Sequence, residues 1–438
     1  MSSRRKGVDW KQDTVLCAET ARAPEVGQFS PRREYDALGE VALPKKDQRF
    51  STHGQDGSTQ ETPSMLKGIY LTLLVGPVVP VPVPQVVLDA LTSVTVTSDT
   101  GGPSGFQLTF TLSPRSPLHT LFLVAAGQTP LLRVILVATV NGSPHVLMDG
   151  VMTRTEVGGG SGGSSGTLTV IGEDLTKVMD LIDFSGFPYP GMTADLRVLT
   201  VIAKYAMFGL IPMVIPNLFV DVPIPTDRIP LHRGTDLRYV QHLASEAGYV
   251  FYIEPGPVPG TNVAYWGPEI KVGVPQPALN IDMDAHTNVE SLSFGFNGAD
   301  TTLPIVLIQN QLTRIPIPLP VPNLNPLQPP LGVIPAPITN VTVLRDTAKM
   351  SPMRALGCGL AEASRSADAA TGEGTLDVVR YGRLLRSRGL VGVRGAGTAY
   401  DGLYFVKKVT STIKRGEFKQ SFSLTRNGLV SITPNVPV

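Results

Sequence analysis

Asp282, Asp284 and His286 alternate with Met283 and Ala285. On a β-strand that spacing would bring two carboxylates and an imidazole to one face, a set suited to acid–base work or to holding a divalent cation. The same residues also read as an exposed strand end running into a turn. A second charged group is the arginine cluster Arg380, Arg383, Arg386, Arg388 and Arg394. It suits either contact with a nucleic-acid or protein cargo or a solvated or inter-subunit salt-bridging face. The glycine-serine run 158–166 has no lysine to reach a phosphate and reads as a flexible spacer. The six histidines, His53, His119, His145, His232, His242 and His286, show no metal-ligand spacing.

The recognised catalytic arrangements are missing from the sequence. There is no Gly-x-Ser-x-Gly elbow, no phosphate-cradling Gly-x-x-x-x-Gly-Lys and no His-Glu-x-x-His. No catalytic, cofactor-binding or metal-ligating residue is therefore assigned, no cofactor is expected, and the chain reads as a non-enzyme.

A length of 438 residues calls for two or three domains, and a hydrophobic content of 42% can fill their cores. The net charge of +1 and an aromatic content of 6% argue against a nucleic-acid-binding surface. Cys17 and Cys358 are too far apart to make a disulfide framework, which fits a reduced, cytoplasmic setting. The basic start lacks an apolar segment and is not a secretory signal. The most apolar span, 199–220, contains Lys204, Pro212 and Pro216, and reads as buried protein rather than a membrane helix.

Residues 1–64 are polar and disorder-like in composition, either a dispensable tail or a docking arm. From 65 to 172 the chain alternates as strands do. Phe106, Leu108, Phe110 and Leu112 share one face, and residues 132–140 end at the hairpin signal Asn141-Gly142. The period then changes. Leu175, Val178, Met179 and Ile182 define a helix with Glu173 and Asp174 at its start. A second helix is expected over 194–208. A third starts at Thr235 or Asp236 and stops at Gly248, and a strand pair follows at 249–253 and 263–267. Residues 303–338 are dense in proline, which should prevent ladder pairing and favour stiff apolar loops at a subunit seam. A helix over 350–367 leads to a closing hairpin. Phe418, Phe422 and Leu424 lie on its apolar face, Lys419, Ser421 and Ser423 on the other, and Gly416 makes the turn.

Three segments resemble, in order, the tail-hub family of contractile machines: phage late-control D proteins, the hub part of VgrG proteins, and hubs of extracellular contractile injection systems. They are 166–175, a strand-to-helix step; 233–252, a helix and strand; and 401–409, closing strands. The resemblance implies a mainly β fold with an α/β insertion, two tube-like β-barrel domains plus a small mixed α/β domain. On that division 65–172 is the first barrel and 173–285 the insertion. Residues 286–345 are a strand return carrying the proline-rich loop, and 346–438 are a helix and the second barrel. It also implies a baseplate hub: a homotrimeric ring adapting a hexameric inner tube to a trimeric spike. Its partners would be the inner tube protein, a separate spike protein, other baseplate proteins and possible cargo, with no specific nucleic-acid sequence and no membrane insertion. Assembly would be cytoplasmic and the product a phage virion or injection particle. The alternatives are a tail-associated enzyme such as a cell-wall hydrolase, and a surface interaction module.

Overall fold

The computed structural model describes residues 69–433, apart from 114–115, 119–120, 123–130, 160–165, 217–224, 227–228, 300, 310–314, 324–326, 345–346, 348–349 and 351. The expectations about residues 1–64, Cys17, His53, His119 and the centre of the glycine-serine run lie outside the described residues.

The fold is mainly β with an α/β insertion. The first group of strands is β1 (Ile69–Gly76), β2 (Val81–Pro82), β3 (Leu91–Asp99), β4 (Gly105–Leu112), β5 (Arg133–Val140), β6 (Ser143–Gly158) and β7 (Gly166–Asp174), with the short helix α1 (Gln85–Asp89) after β2. The alternation read in β4 is real: Phe106, Leu108, Phe110 and Leu112 are buried. Each such side chain contributes on the order of 1.5–3 kcal/mol. Asn141 and Gly142 close the β5–β6 hairpin with φ of 50° and 80°, the left-handed pair that a two-residue turn requires.

The insertion contains α2 (Thr176–Met179), α3 (Ala194–Ala203), β8 (Leu210–Val214), α4 (Asp236–Ala247), β9 (Val250–Pro255) and β10 (Asn262–Gly267). Its strands form a separate sheet in the order β8-β10-β9. Thr235 caps α4 by accepting from the Arg238 amide, and Gly248 ends it at φ 71°, with Tyr249 N–H reaching back to Ala244 C=O. Two helix expectations are corrected. Glu173 and Asp174 do not start a helix; they extend β7, paired with Val151 and Gly150, so α2 is one turn and Ile182 is exposed. The 194–208 helix stops at Ala203 and finishes as a 3-10 turn over Ala206–Phe208. No helix among the described residues is long and apolar enough to cross a membrane.

Strands β11 (Gln276–Asn280) and β12 (Val289–Phe296) return to the main sheet. The proline-rich stretch then departs from expectation by forming strands: β13 (Thr302–Gln309), β14 (Pro316–Pro320), β15 (Gly332–Pro335) and β16 (Asn340–Leu344). In β14, prolines 316, 318 and 320 recur with period two on an edge strand. Their missing N–H groups all face away from β13, while Ile317 and Leu319 face it. Helix α5 (Pro352–Ser366) packs on β13 through Ala355 and Val306. The chain ends with β17 (Ala370–Asp377), α6 (Val378–Tyr381), β18 (Leu390–Arg394), β19 (Gly402–Lys414), β20 (Glu417–Arg426) and β21 (Gly428–Ser431). Gly416, at φ 83°, turns β19 into β20 as expected, and Phe418, Phe422 and Leu424 are buried.

One sheet of 13 strands joins the two ends of the chain in the order β12-β17-β20-β19-β3-β4-β7-β6-β5-β1-β2, with β18 on β19 and β11 on β18. Among the described residues no pairing closes either half by itself; the halves meet where β3 pairs with β19. The halves correspond strand for strand. The path β3-β4-β7-β6-β5 repeats as β12-β17-β20-β19-β18, and the strands follow in the same chain order.

The registers correspond as well. Met152 opposite Gly172, a bulge, then Arg154 opposite Ile171 becomes Val406 opposite Leu424, a bulge, then Lys408 opposite Ser423. Leu91 opposite Phe110, a bulge, then Ser93 opposite Thr109 becomes Val289 opposite Leu376, a bulge, then Ser291 opposite Thr375. Arg133 opposite Val151 becomes Leu390 opposite Phe405.

Candidate functional sites

Asp282, Asp284 and His286 do not share a strand face. β11 ends at Asn280, Asp282 and Asp284 take positive φ of 51° and 50°, and residues 284–286 form a single 3-10 turn. All three side chains are exposed. On the side away from β18 the Asn280 amide donates to the Asn288 side chain and its carbonyl accepts from the Asn288 amide, which brings the chain round after β11. No group of three metal-ligating side chains occurs among the described residues.

The arginine cluster is dispersed. Arg380 and Arg383 are exposed around α6. Arg386 lies 3.2 Å from His145 Nδ1, and Arg388 donates to Ser98 Oγ at 3.2 Å and to the Asp99 carbonyl. The Arg388 guanidinium also lies 4.1 Å from the centre of the Tyr252 ring. Burial raises the pKa of the Glu254 carboxyl, and the charges of Arg388 and Arg386 oppose that rise. These two arginines therefore tie β9 of the insertion to the junction between the halves.

Two polar centres carry no signal in the sequence. In the first, Arg133 on β5 donates to both oxygens of Asp149 on β6, at 2.7 and 2.6 Å. It also donates to the carbonyls of Val78, Phe208 and Gly260, and Asn262 donates to Asp149 at 2.8 Å. Arg133 and Asp149 are 3% and 2% exposed. A bidentate pair with its remaining donors satisfied is the geometry in which a buried charge can be held, and here it fastens the insertion to the main sheet.

In the second, Asp236 receives both Lys204 Nζ, at 2.8 and 2.9 Å, and Tyr205 Oη, at 2.8 Å. His232 Nε2 lies 3.4 Å from the same carboxylate, and His232 Nδ1 lies 3.1 Å from Tyr189 Oη. Residue types of this kind can relay protons in an open cleft. Here Asp236 and His232 are closed to solvent, at 0% and 1% exposure. Desolvation lowers the His232 pKa, partly offset by Asp236, so the ring is held neutral. Burial pushes the Tyr189 hydroxyl up to about 12. The centre clamps α3, α4 and the 184–189 segment together; helix periodicity located α4, but nothing marked Asp236 as its buried anchor.

The remaining candidate is a surface. The face of the sheet opposite the core carries Ser291, Ser293, Glu373, Thr375, Lys408, Thr410, Ser421 and Ser423, which line an open depression of about 410 Å³. Thr95, Thr97, Gln107 and Thr109 continue it across the junction, where Thr97 Oγ1 and Thr410 Oγ1 are 3.2 Å apart. This is the solvent face of an antiparallel sheet, polar and dominated by hydroxyls. Among the described residues, two edges next to it pair with no strand: the outer side of β12 and the same side of β6 beyond Val151. Val157, at 55% exposure, and Phe296, at 39%, stand on those edges.

No protein-family model matches the chain, and no curated protein matches it. Solved structures do. A tail protein from Neisseria meningitidis MC58 aligns at 16% identity and a TM-score of 0.56, over 84% of this chain and 98% of its own. A 43 kDa tail protein of prophage MuSo2 from Shewanella oneidensis aligns at 14% identity and 0.54, over 82% and 98%. A chain of the Francisella PdpA-VgrG complex aligns at 8% identity and 0.53, over 87% of this chain and 55% of its own. Identity at this level speaks for architecture. The chain shares the fold of these phage-type tail proteins and of the VgrG-complex chain.

Proposed function

We propose that this protein is the structural hub of a contractile phage tail or phage-tail-like injection system. In this reading it forms a trimeric ring that adapts a hexameric inner tube to a trimeric spike. One observation carries the proposal: the two halves of the chain are equivalent in strand order, register and bulge position, and they meet edge to edge. Three copies of such a chain present six equivalent units to a six-fold tube and three whole subunits to a spike. The hydroxyl-rich face of the sheet would line the channel, with side chains that neither bind a passing cargo tightly nor repel it. The apolar residues Ile317, Leu319, Val341 and Val343 on β14 and β16 would sit at a subunit seam. The two strand groups would be the two tube-like domains, separated by the α/β insertion over 173–285. The chain would assemble in the cytoplasm and end in the particle.

Mass photometry of the purified chain, alone and with its tube and spike proteins, tests this. A trimer in either condition is expected. A monomer that persists with both partners present overturns the proposal.

A further inference from the structure

Arg388 is held in an unusual way. Its backbone takes φ of 61°, the left-handed region that a side-chain-bearing residue rarely adopts, while its amide still bonds to the Val406 carbonyl on β19. Strain of this kind recurs where a side chain has to be aimed. The guanidinium lies against Tyr252, and Tyr252 stacks in turn on Tyr265, with ring centres 5.0 Å apart. Its two terminal nitrogens have partners in Ser98 and the Asp99 carbonyl. Its Nε is buried and donates to nothing.

Arg388 and Tyr252 stand in the wall of a cavity of about 220 Å³. The other walls are apolar: Val250 and Tyr265 from the insertion sheet, and Phe405 from β19. Ile270 and Val272, 40% and 45% exposed, flank it from the segment that leads from β10 to β11. The remaining polar groups are already engaged. Thr100 and Tyr265 donate their hydroxyls to the carbonyls of Lys407 and Pro268. The Glu269 carboxylate accepts from Gln328 Nε2 at 3.1 Å and lies 3.6 Å from Lys271 Nζ, which counters its charge.

We propose that this cavity binds a small apolar monocarboxylate, its carboxylate accepting from Arg388 Nε and its body lying against Val250, Tyr265 and Phe405. Apolar walls with one placed polar group are the usual make-up of a small-molecule site. A carboxylate supplies the missing acceptor and the charge that suits a guanidinium. A neutral body of the same shape brings no counter-charge, and an ammonium meets like charge. The volume equals that of roughly seven waters, which suits a molecule of the size of benzoate. Because the walls come from the insertion, the segment after it and the main sheet, the bound acid would hold the insertion against the junction between the halves. The proposal is independent of the ring reading.

Saturation-transfer NMR and thermal melts of the full chain with benzoate, benzyl alcohol and benzylamine test it. Benzoate should give saturation transfer and raise the melting temperature, with a Kd on the order of 1 mM, as befits so small a ligand. Benzyl alcohol should bind about tenfold more weakly, the loss of one charge-assisted hydrogen bond, and benzylamine more weakly still. Amide exchange over 250–254 should slow in benzoate. Arg388→Gln should bring benzoate down to the level of benzyl alcohol. Val272→Trp, at an exposed position on the wall, should block the cavity and abolish benzoate binding; it covers the case in which Arg388→Gln folds poorly. No saturation transfer from benzoate at roughly ten times the expected Kd overturns the proposal. So does equal binding of the three compounds by the parent chain, or benzoate binding that is unchanged in Val272→Trp.

Discussion

Replacing Asp149 with alanine should be among the most damaging single changes that leave the backbone untouched. The substitution removes both acceptors of the Arg133 guanidinium at 2.7 and 2.6 Å and the acceptor of Asn262 Nδ2 at 2.8 Å. Arg133 keeps three carbonyl partners but loses its counter-charge in a place where it is 3% exposed. Breaking one side of a buried pair costs ~3–5 kcal/mol. A body of this size moves its melting temperature by roughly 2 °C per kcal/mol, so the expected fall is about 8 °C. Asp149→Asn keeps an acceptor for Arg133 and should lose about half as much. Because Phe208, Gly260 and Asn262 belong to the insertion, the loss should also be local. Amide exchange measured by mass spectrometry should rise over 206–214 and 260–267 before it rises in β19 and β20. A melting temperature within 1 °C of the parent, with unchanged exchange in the insertion, would show that the pair does not fasten it.

Phe422→Asp places a carboxylate among buried apolar side chains, and should cost on the order of several kcal/mol and prevent soluble expression. Asp282→Asn and His286→Ala, at exposed turn positions, should leave melting and particle assembly as in the parent; assembly with loss of delivery in either variant would refute a purely structural role for that turn. Gly248→Ala meets both a positive φ of 71° and a Cβ position 2.8 Å from Ala361 Cβ and Gly357 O, and should lower stability by at least ~1–2 kcal/mol in a thermal melt. The folded-state pKa of His232 is depressed, so the unfolded chain takes up the proton first, and stability is lost as pH falls below the ordinary value of 6.5. His145 has the same sign, and the raised carboxyls Glu254 and Asp174 the opposite one, so the readout is a difference. Between pH 7.5 and 5, the melting temperature of His232→Gln should fall less than that of the parent.

Much of the architecture was legible because period-two alternation and turn chemistry are local. β4, β20, the Asn141-Gly142 turn, the Thr235 cap and the Gly248 stop all follow from residues within a few positions of each other. What was not legible depends on contacts between distant segments. Glu173 and Asp174 look like a helix start until β6 is there to pair with them. The proline run looks unable to join a ladder until β13 is seen on one side of it only. The repeat between the halves is hidden because side-chain volume has moved between strands. In the first half Phe106 fills the space over Gly172. In the second half the corresponding pair is reversed, with Gly372 opposite Leu424, and Gly372 and Gly374 lie beneath Phe294 and Phe422. The buried Arg133 and Asp236 centres were invisible for the same reason, since their partners come from well-separated parts of the chain.

The pairing of β3 with β19 has a consequence for the order of events during synthesis. The edge of β3 is complete once residue 99 has emerged, but its partner begins at residue 402. At roughly 5–20 residues per second, the edge waits about 15–60 s for its own chain to close it. During that interval it is an open strand edge, able to pair with a strand of another molecule. A finished neighbour can therefore fill the place that β19 should occupy. On a crowded polysome the outcome is a race between a distant strand of the same chain and a nearby strand of another. Slow translation between β7 and β19 would favour the wrong winner, and the product would be strand-swapped assemblies in place of the native pairing.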